Sequence, residues 1–180
     1  MLVSGGGTNL QALLDAFHDS PLVQIARVIS SRSDAGALDR ARRGNVPAVV
    51  LRKPSDAAEL LAALHEIELV VLAGYLQLVP AVVVRQFRGR MINIHPALLP
   101  DFGGRGMYGH HVHEAVLASG ARESGATVHL VDEEFDRGAI IGQERVPVLP
   151  GDTPDTLAAR VLEAEHRLLP RVVLDLTRRL

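Results

Sequence analysis

Short aliphatic runs alternate with longer stretches of helical period along this chain. Met1–Ser4 is apolar and runs straight into three glycines, after which Leu10, Leu13, Leu14 and Phe17 share one face of a predicted helix. Residues 25–29 read as a second strand, and residues 35–43 as a helix ended by Gly44. Residues 48–51 make a third short strand. Ser55-Asp56 then opens a helix with Leu60, Leu61, Leu64 and Ile67 inward, with Ser55 the expected N-cap. Residues 69–73 form an unbroken apolar run, as in a strand covered on both faces. Pro80 opens a helix running to Phe87, and residues 91–94 are a further strand. Residues 100–109 hold four glycines and read as loop. A helix over 112–119 and strands over 127–131 and 139–148 follow. Thr153 caps a terminal helix reaching about residue 179, with a bend expected near Pro170.

This alternation predicts an α/β fold, a doubly wound and mainly parallel sheet in a single domain over residues 1–180. The last two strands are joined by a loop alone, so that end of the sheet is expected to be antiparallel. In such sheets ligands bind beyond the carboxyl ends of the strands. The residues able to carry chemistry do fall just after the apolar runs.

Composition narrows the function. The 180 residues are 47 % hydrophobic and 22 % charged, which suits one soluble domain with a real core. A net charge of −2 offers no basic field for nucleic acid or an anionic membrane. The absence of cysteine excludes disulfides, thiolate metal sites and thiol nucleophiles. No apolar run approaches the roughly 20 residues of a membrane helix, and the N-terminus lacks signal-peptide features. A cytoplasmic location is the expectation.

Five segments are candidates for chemistry. Ser4-Gly5-Gly6-Gly7-Thr8-Asn9 joins a strand to a helix, where glycines allow close backbone approach and free N–H groups favour an anion. Thr8 or Asn9 would cap that helix or donate to the anion. Asn93 and His95 lie on the same side of a strand end that Pro96 terminates. An amide and an imidazole together can hold a carbonyl oxygen as negative charge develops on it. Residues 132–136 place four carboxylates in five positions. Asp136, two residues before Gly138, is the one expected to face His95 and raise its pKa. His110, His111 and His113 crowd together, but without an HExxH pattern they read as loop or helix-start residues rather than metal ligands. Glu165-His166 reads locally as a solvated helix face.

Together these segments resemble the folate-dependent glycinamide ribonucleotide formyltransferases, in the same order over nearly the whole chain. The resemblance rests on Ser4–Gln11, on Leu72-Ala73-Gly74-Tyr75-Leu76, and on Asn93-Ile94-His95-Pro96-Ala97-Leu98-Leu99-Pro100. It extends through Gly125–His129, Asp136-x-Gly138 and Glu165-His166 with Pro170. It implies a Rossmann-like fold and transfer of a formyl group from 10-formyltetrahydrofolate to the amine of 5'-phosphoribosylglycinamide. The implied catalytic trio is Asn93, protonated His95 and Asp136. Gly7, Thr8 and Asn9 would bind the ribonucleotide phosphate end, and Glu165 would lie near the glycinamide. Leu76, Gln77, Leu78, Val79, Asn93, Val131 and Glu133 would line the folate pocket, with His129 close by. Gln77 departs from the arginine that many members carry there. Small-molecule substrates, no metal, no nucleic acid and no membrane are implied, for a monomer or homodimer. A 10-formyltetrahydrofolate deformylase and a catalytically silent nucleotide-binding module are the alternatives.

Overall fold

The computed structural model describes residues 1–179. Seven strands form one sheet in the order β3-β2-β1-β4-β5-β6-β7. The parallel part comprises β1 (Leu2–Val3), β2 (Val28–Ser30), β3 (Ala48–Val50), β4 (Val70–Ala73) and β5 (Met91–His95). The strands β6 (Glu123–Leu130) and β7 (Ile140–Pro147) complete the sheet as an antiparallel extension. The sheet thus has the doubly wound, mainly parallel character expected, with its antiparallel end where the loop connection placed it.

Alternation along the strands sorts the core onto two faces. Val3, Val28, Val71, Ile92 and Ile94 meet α1 (Thr8–Ala16), α2 (Gly36–Arg43) and α6 (Pro154–Thr177). Leu2, Ile29, Val70, Leu72 and Met91 meet α3 (Ala57–Ala63) and α4 (Ala81–Gln86) on the other side. A smaller cluster joins Val116 of α5 (His110–Ala118) to Val146 and to Leu157 and Val161 of α6. Asn93 and His95 follow Met91 in the same phase, so both point to the α3/α4 side, where the strand outruns its covering helices.

Several boundaries differ from the expectation for local reasons. The second strand is shorter and later, because only residues 28–30 pair with β1 and β3. Asp56, not Ser55, caps α3, its carboxylate accepting from the N–H groups of Ala58 and Glu59. Helix α5 starts two residues early, at His110, with Gly109 as its N-cap. Strand β6 starts at Glu123, four residues early, extending the ladder with β7. Helix α6 opens with a capping box at Thr153 and Thr156 and runs unbroken through Pro170.

Candidate active site

The carboxyl ends of β1, β4 and β5 open onto one cleft of about 1330 Å³. That exceeds the usual range for a single small-ligand pocket, roughly 300–1000 Å³, and leaves room for two molecules. Every sequence-predicted site residue lines it: Gly7, Thr8, Asn9, Leu76, Gln77, Leu78, Val79, Asn93, His95, Val131, Glu133, Asp136 and Glu165.

One wall is an anion cradle. Gly7 adopts φ +74° and caps α1 without any side-chain bond, so neither Thr8 nor Asn9 takes the capping role. The first N–H groups of α1 therefore keep their donors for a ligand. Only glycine fits here, because a Cβ on Gly7 would lie 2.6 Å from that of Ala37. Arg40 of α2 donates to the Gly6 carbonyl at 2.8 Å and to Gln11 at 3.3 Å, bracing the loop from outside. Asn9 turns inward and donates from Nδ2 to Glu165 at 2.9 Å, leaving its own buried Oδ1 without a partner. Glu165 is buried, not solvated as its local context suggested. Burial pushes its carboxyl up to about 7 against the opposing bond from Asn9.

The opposite wall is built on β5, β6 and the loop that follows β6. Antiparallel pairing sets Asn93 opposite His129 and His95 opposite Thr127. The His129 Nδ1–H donates to the Leu130 carbonyl at 2.8 Å, which makes its Nε2 an acceptor. Asn93 Nδ2 donates to that Nε2 at 3.1 Å and to Asp136 Oδ1 at 3.3 Å. The amide donors assigned to a developing oxyanion are thus already engaged, and using one requires exchanging a long bond for the substrate oxygen. Asp136 holds φ +56°, and its Oδ2 accepts from the Gly104 N–H at 3.0 Å. Gly138 secures the turn, since a Cβ there would run into the Leu130 carbonyl.

His95 Nε2 donates to the Phe102 carbonyl at 2.8 Å, which directs the other ring nitrogen, Nδ1, toward Asp136 Oδ2 at 3.5 Å. Burial lowers the His95 pKa, and the Asp136 charge and the Phe102 carbonyl oppose it without prevailing. Desolvation thus favours the neutral ring, and the Asp136 carboxylate favours the imidazolium expected from the sequence. Burial also pushes the Asp136 carboxyl up, but the His129 and His95 rings and the Gly104 N–H bring it below its ordinary value.

The segment after β4 is anchored by Ser4, whose hydroxyl accepts from the Leu76 N–H at 3.0 Å and meets Ser31 at 2.6 Å. Leu76 and Leu78 are exposed at the mouth, while Val79 is buried beneath them. Glu133 is tied to Arg85 of α4 at 2.8 Å. Sequence reasoning missed the supporting roles of Ser4, Arg40 and the Phe102 carbonyl. A polar residue ending an apolar strand was the available signal for Ser4; a backbone carbonyl leaves none. His113, read from the sequence as a loop or helix-start residue, lines the cleft because it shares the buried face of α5 with Val112 and Val116. Among the described residues, no three His, Cys, Asp or Glu side chains are grouped to hold a metal ion.

A family model described as formyl transferase matches residues 1–173. The chain belongs to the formyl transferase family. It is 44 % identical to a chloroplastic phosphoribosylglycinamide formyltransferase of Arabidopsis thaliana, over 96 % of this chain and 63 % of that protein. It is 39 % identical to a phosphoribosylglycinamide formyltransferase of Haemophilus influenzae, over 96 % of this chain and 84 % of the relative. The crystal structure of phosphoribosylglycinamide formyltransferase from Anaplasma phagocytophilum superposes with a TM-score of 0.88 at 40 % identity, covering 96 % of this chain and 82 % of that one. The chain thus spans just under two thirds of the length of the Arabidopsis relative.

Proposed function

We propose that this chain transfers the formyl group of 10-formyltetrahydrofolate to the primary amine of 5'-phosphoribosylglycinamide, a step of purine biosynthesis, in the cytoplasm. The observation that carries the reading is the convergence of Asn93, His95 and Asp136 on one cleft, facing the uncapped start of α1. The phosphate would sit on the N–H groups of Thr8 and Asn9 beside Gly7. Glu165 and the free Oδ1 of Asn9 would accept donors from the acceptor's sugar or glycinamide. The pterin would enter between Leu76–Val79 and the loop bearing Val131 and Glu133.

The chemistry follows from these positions. The amine nitrogen attacks the formyl carbon, a C–N bond forms, and the carbonyl pair moves onto oxygen. The proton shed by the amine passes to Nδ1 of His95, where the Asp136 charge favours the imidazolium. That cation and one donor of Asn93 stabilise the oxyanion. Collapse breaks the bond to the folate nitrogen, which takes the proton from His95. Tetrahydrofolate leaves, and His95 returns neutral. The residues complete the cycle by hydrogen bonding and proton transfer alone.

The test is turnover with both substrates, with water as the competing acceptor. Formyl transfer to the amine that far exceeds formate release supports the reading. Formate release regardless of ribonucleotide would make the chain a deformylase. Binding of both ligands without turnover would make it a silent module.

A further inference from the structure

His113 is an ionisable side chain in the cleft to which the proposed chemistry gives no task. It lies on α5, on the side of the cleft where α5 packs against α6, and is only 5 % exposed. Its Nδ1 is sealed from solvent without a hydrogen-bond partner. A buried N–H with no acceptor costs more than an unused lone pair. The ring proton therefore resides on Nε2, the nitrogen left for the cleft.

We infer that His113 donates a hydrogen bond from Nε2 to an uncharged oxygen of the ribonucleotide, between its phosphate and its amine. The inference rests on the functional reading above and adds a substrate contact to it. Two walls fix the span. The phosphate cradle lies at the start of α1 and the reacting carbon lies at His95, so the sugar and amide of the acceptor must bridge them. His113 and Glu165 line the same cleft from α5 and α6. Burial lowers the His113 pKa, and the His110 and His95 rings lower it further when charged, which favours the neutral ring. A neutral N–H suits a ribose or carbonyl oxygen and offers a phosphate no countercharge.

Calorimetric titration of the intact protein with 5'-phosphoribosylglycinamide, beside steady-state kinetics, tests this on three variants. Leu fills the volume and removes both nitrogens. Gln carries an N–H at the reach of Nε2, whereas Asn extends its amide only as far as Nδ1. The expected result is ribonucleotide binding weakened about tenfold in His113→Leu and His113→Asn. His113→Gln recovers to within about threefold of wild type on the same scale. KM for the ribonucleotide rises in parallel while kcat and folate binding hold.

Unchanged ribonucleotide affinity in a folded His113→Leu overturns the inference, as does recovery by Asn instead of Gln. If the Leu variant fails to fold, the Gln and Asn pair decides. A wild type that binds no ribonucleotide overturns the parent reading and this inference with it. Wild-type turnover with indifference at position 113 overturns this inference alone.

Discussion

Asp136 touches an amide and two imidazoles at once, and its effect on each has a definite sign. Its charge raises the His95 pKa, and burial lowers it by more. Removing the charge therefore leaves burial less opposed. In Asp136→Asn, the His95 imidazole should titrate at a lower pH than in wild type, followed by NMR of the ring. A higher or unmoved titration would show that the carboxylate does not govern this histidine. Asn shares Asp's tolerance of positive φ, so the backbone at φ +56° should survive the change. Turnover should fall by about 10²–10⁴-fold in Asp136→Asn, as in His95→Ala, while circular dichroism stays native. At this scale the sequence was informative where a polar residue broke an apolar pattern. Asn93 and His95 stood out for that reason, and Asp136 by its place before Gly138. The pull of burial on the His95 pKa was not legible, because it depends on how the folded chain encloses the ring. Nor was the engagement of Asn93 with His129, which needs the antiparallel register of β5 and β6.

Two elements turn local conformation into binding. The start of α1 is open because Gly7 in the left-handed region lets the chain turn against Ala37 with no side chain above it. Gly7→Ala meets both a backbone cost and a steric one. It should destabilise the fold by about 1–3 kcal/mol and weaken ribonucleotide binding about tenfold or more. Thermal melting and calorimetry check the two effects separately; native affinity in this variant would remove the cradle from the site. Helix α6 contributes Glu165, whose ordinary pKa of 4.5 rises to about 7 on folding. The folded chain then binds that proton more tightly than the unfolded chain does. This contribution to stability is complete below pH 4.5 and is lost as pH rises through 7. Its size is on the order of 3 kcal/mol. Glu165→Gln should therefore show a flatter loss of melting temperature between pH 5 and 8 than wild type, without ligand. Equal slopes would mean that Glu165 is ionised at little cost. Most elements were legible because strand and helix periods are distinct in this chain. The errors fell at boundaries, where Asp56 outcompeted Ser55 as a cap and where α5 began two residues early.

The sheet as a whole makes one cleft from two unlike walls. Its parallel half supplies a helix N-terminus suited to an anion. Its antiparallel end supplies the loop after β6, and the segment after β4 supplies the apolar mouth at Leu76 and Leu78. The doubly wound order was readable from strand–helix alternation. The meeting of residues 9 and 165, 156 positions apart in sequence, was not, because only packing of α6 against α1 creates it. The two-wall arrangement predicts that the two substrates occupy the cleft together. The ribonucleotide alone and a non-transferable folate analogue alone should each raise the melting temperature. At 100 times its dissociation constant each ligand adds about 2.7 kcal/mol of stability. With both present the increments should at least sum, since the proposed phosphate site at the start of α1 and the proposed pterin site at Leu76–Val79 share no side chain except near His95. Mutual exclusion would look different: the combined shift would match the larger single one, and each ligand would weaken the other's apparent affinity. That outcome would make the cleft a single overlapping pocket, and direct transfer between two bound substrates would lose its structural basis. Additive shifts, with formyl transfer when the true donor replaces the analogue, would place the amine and the formyl carbon together at His95.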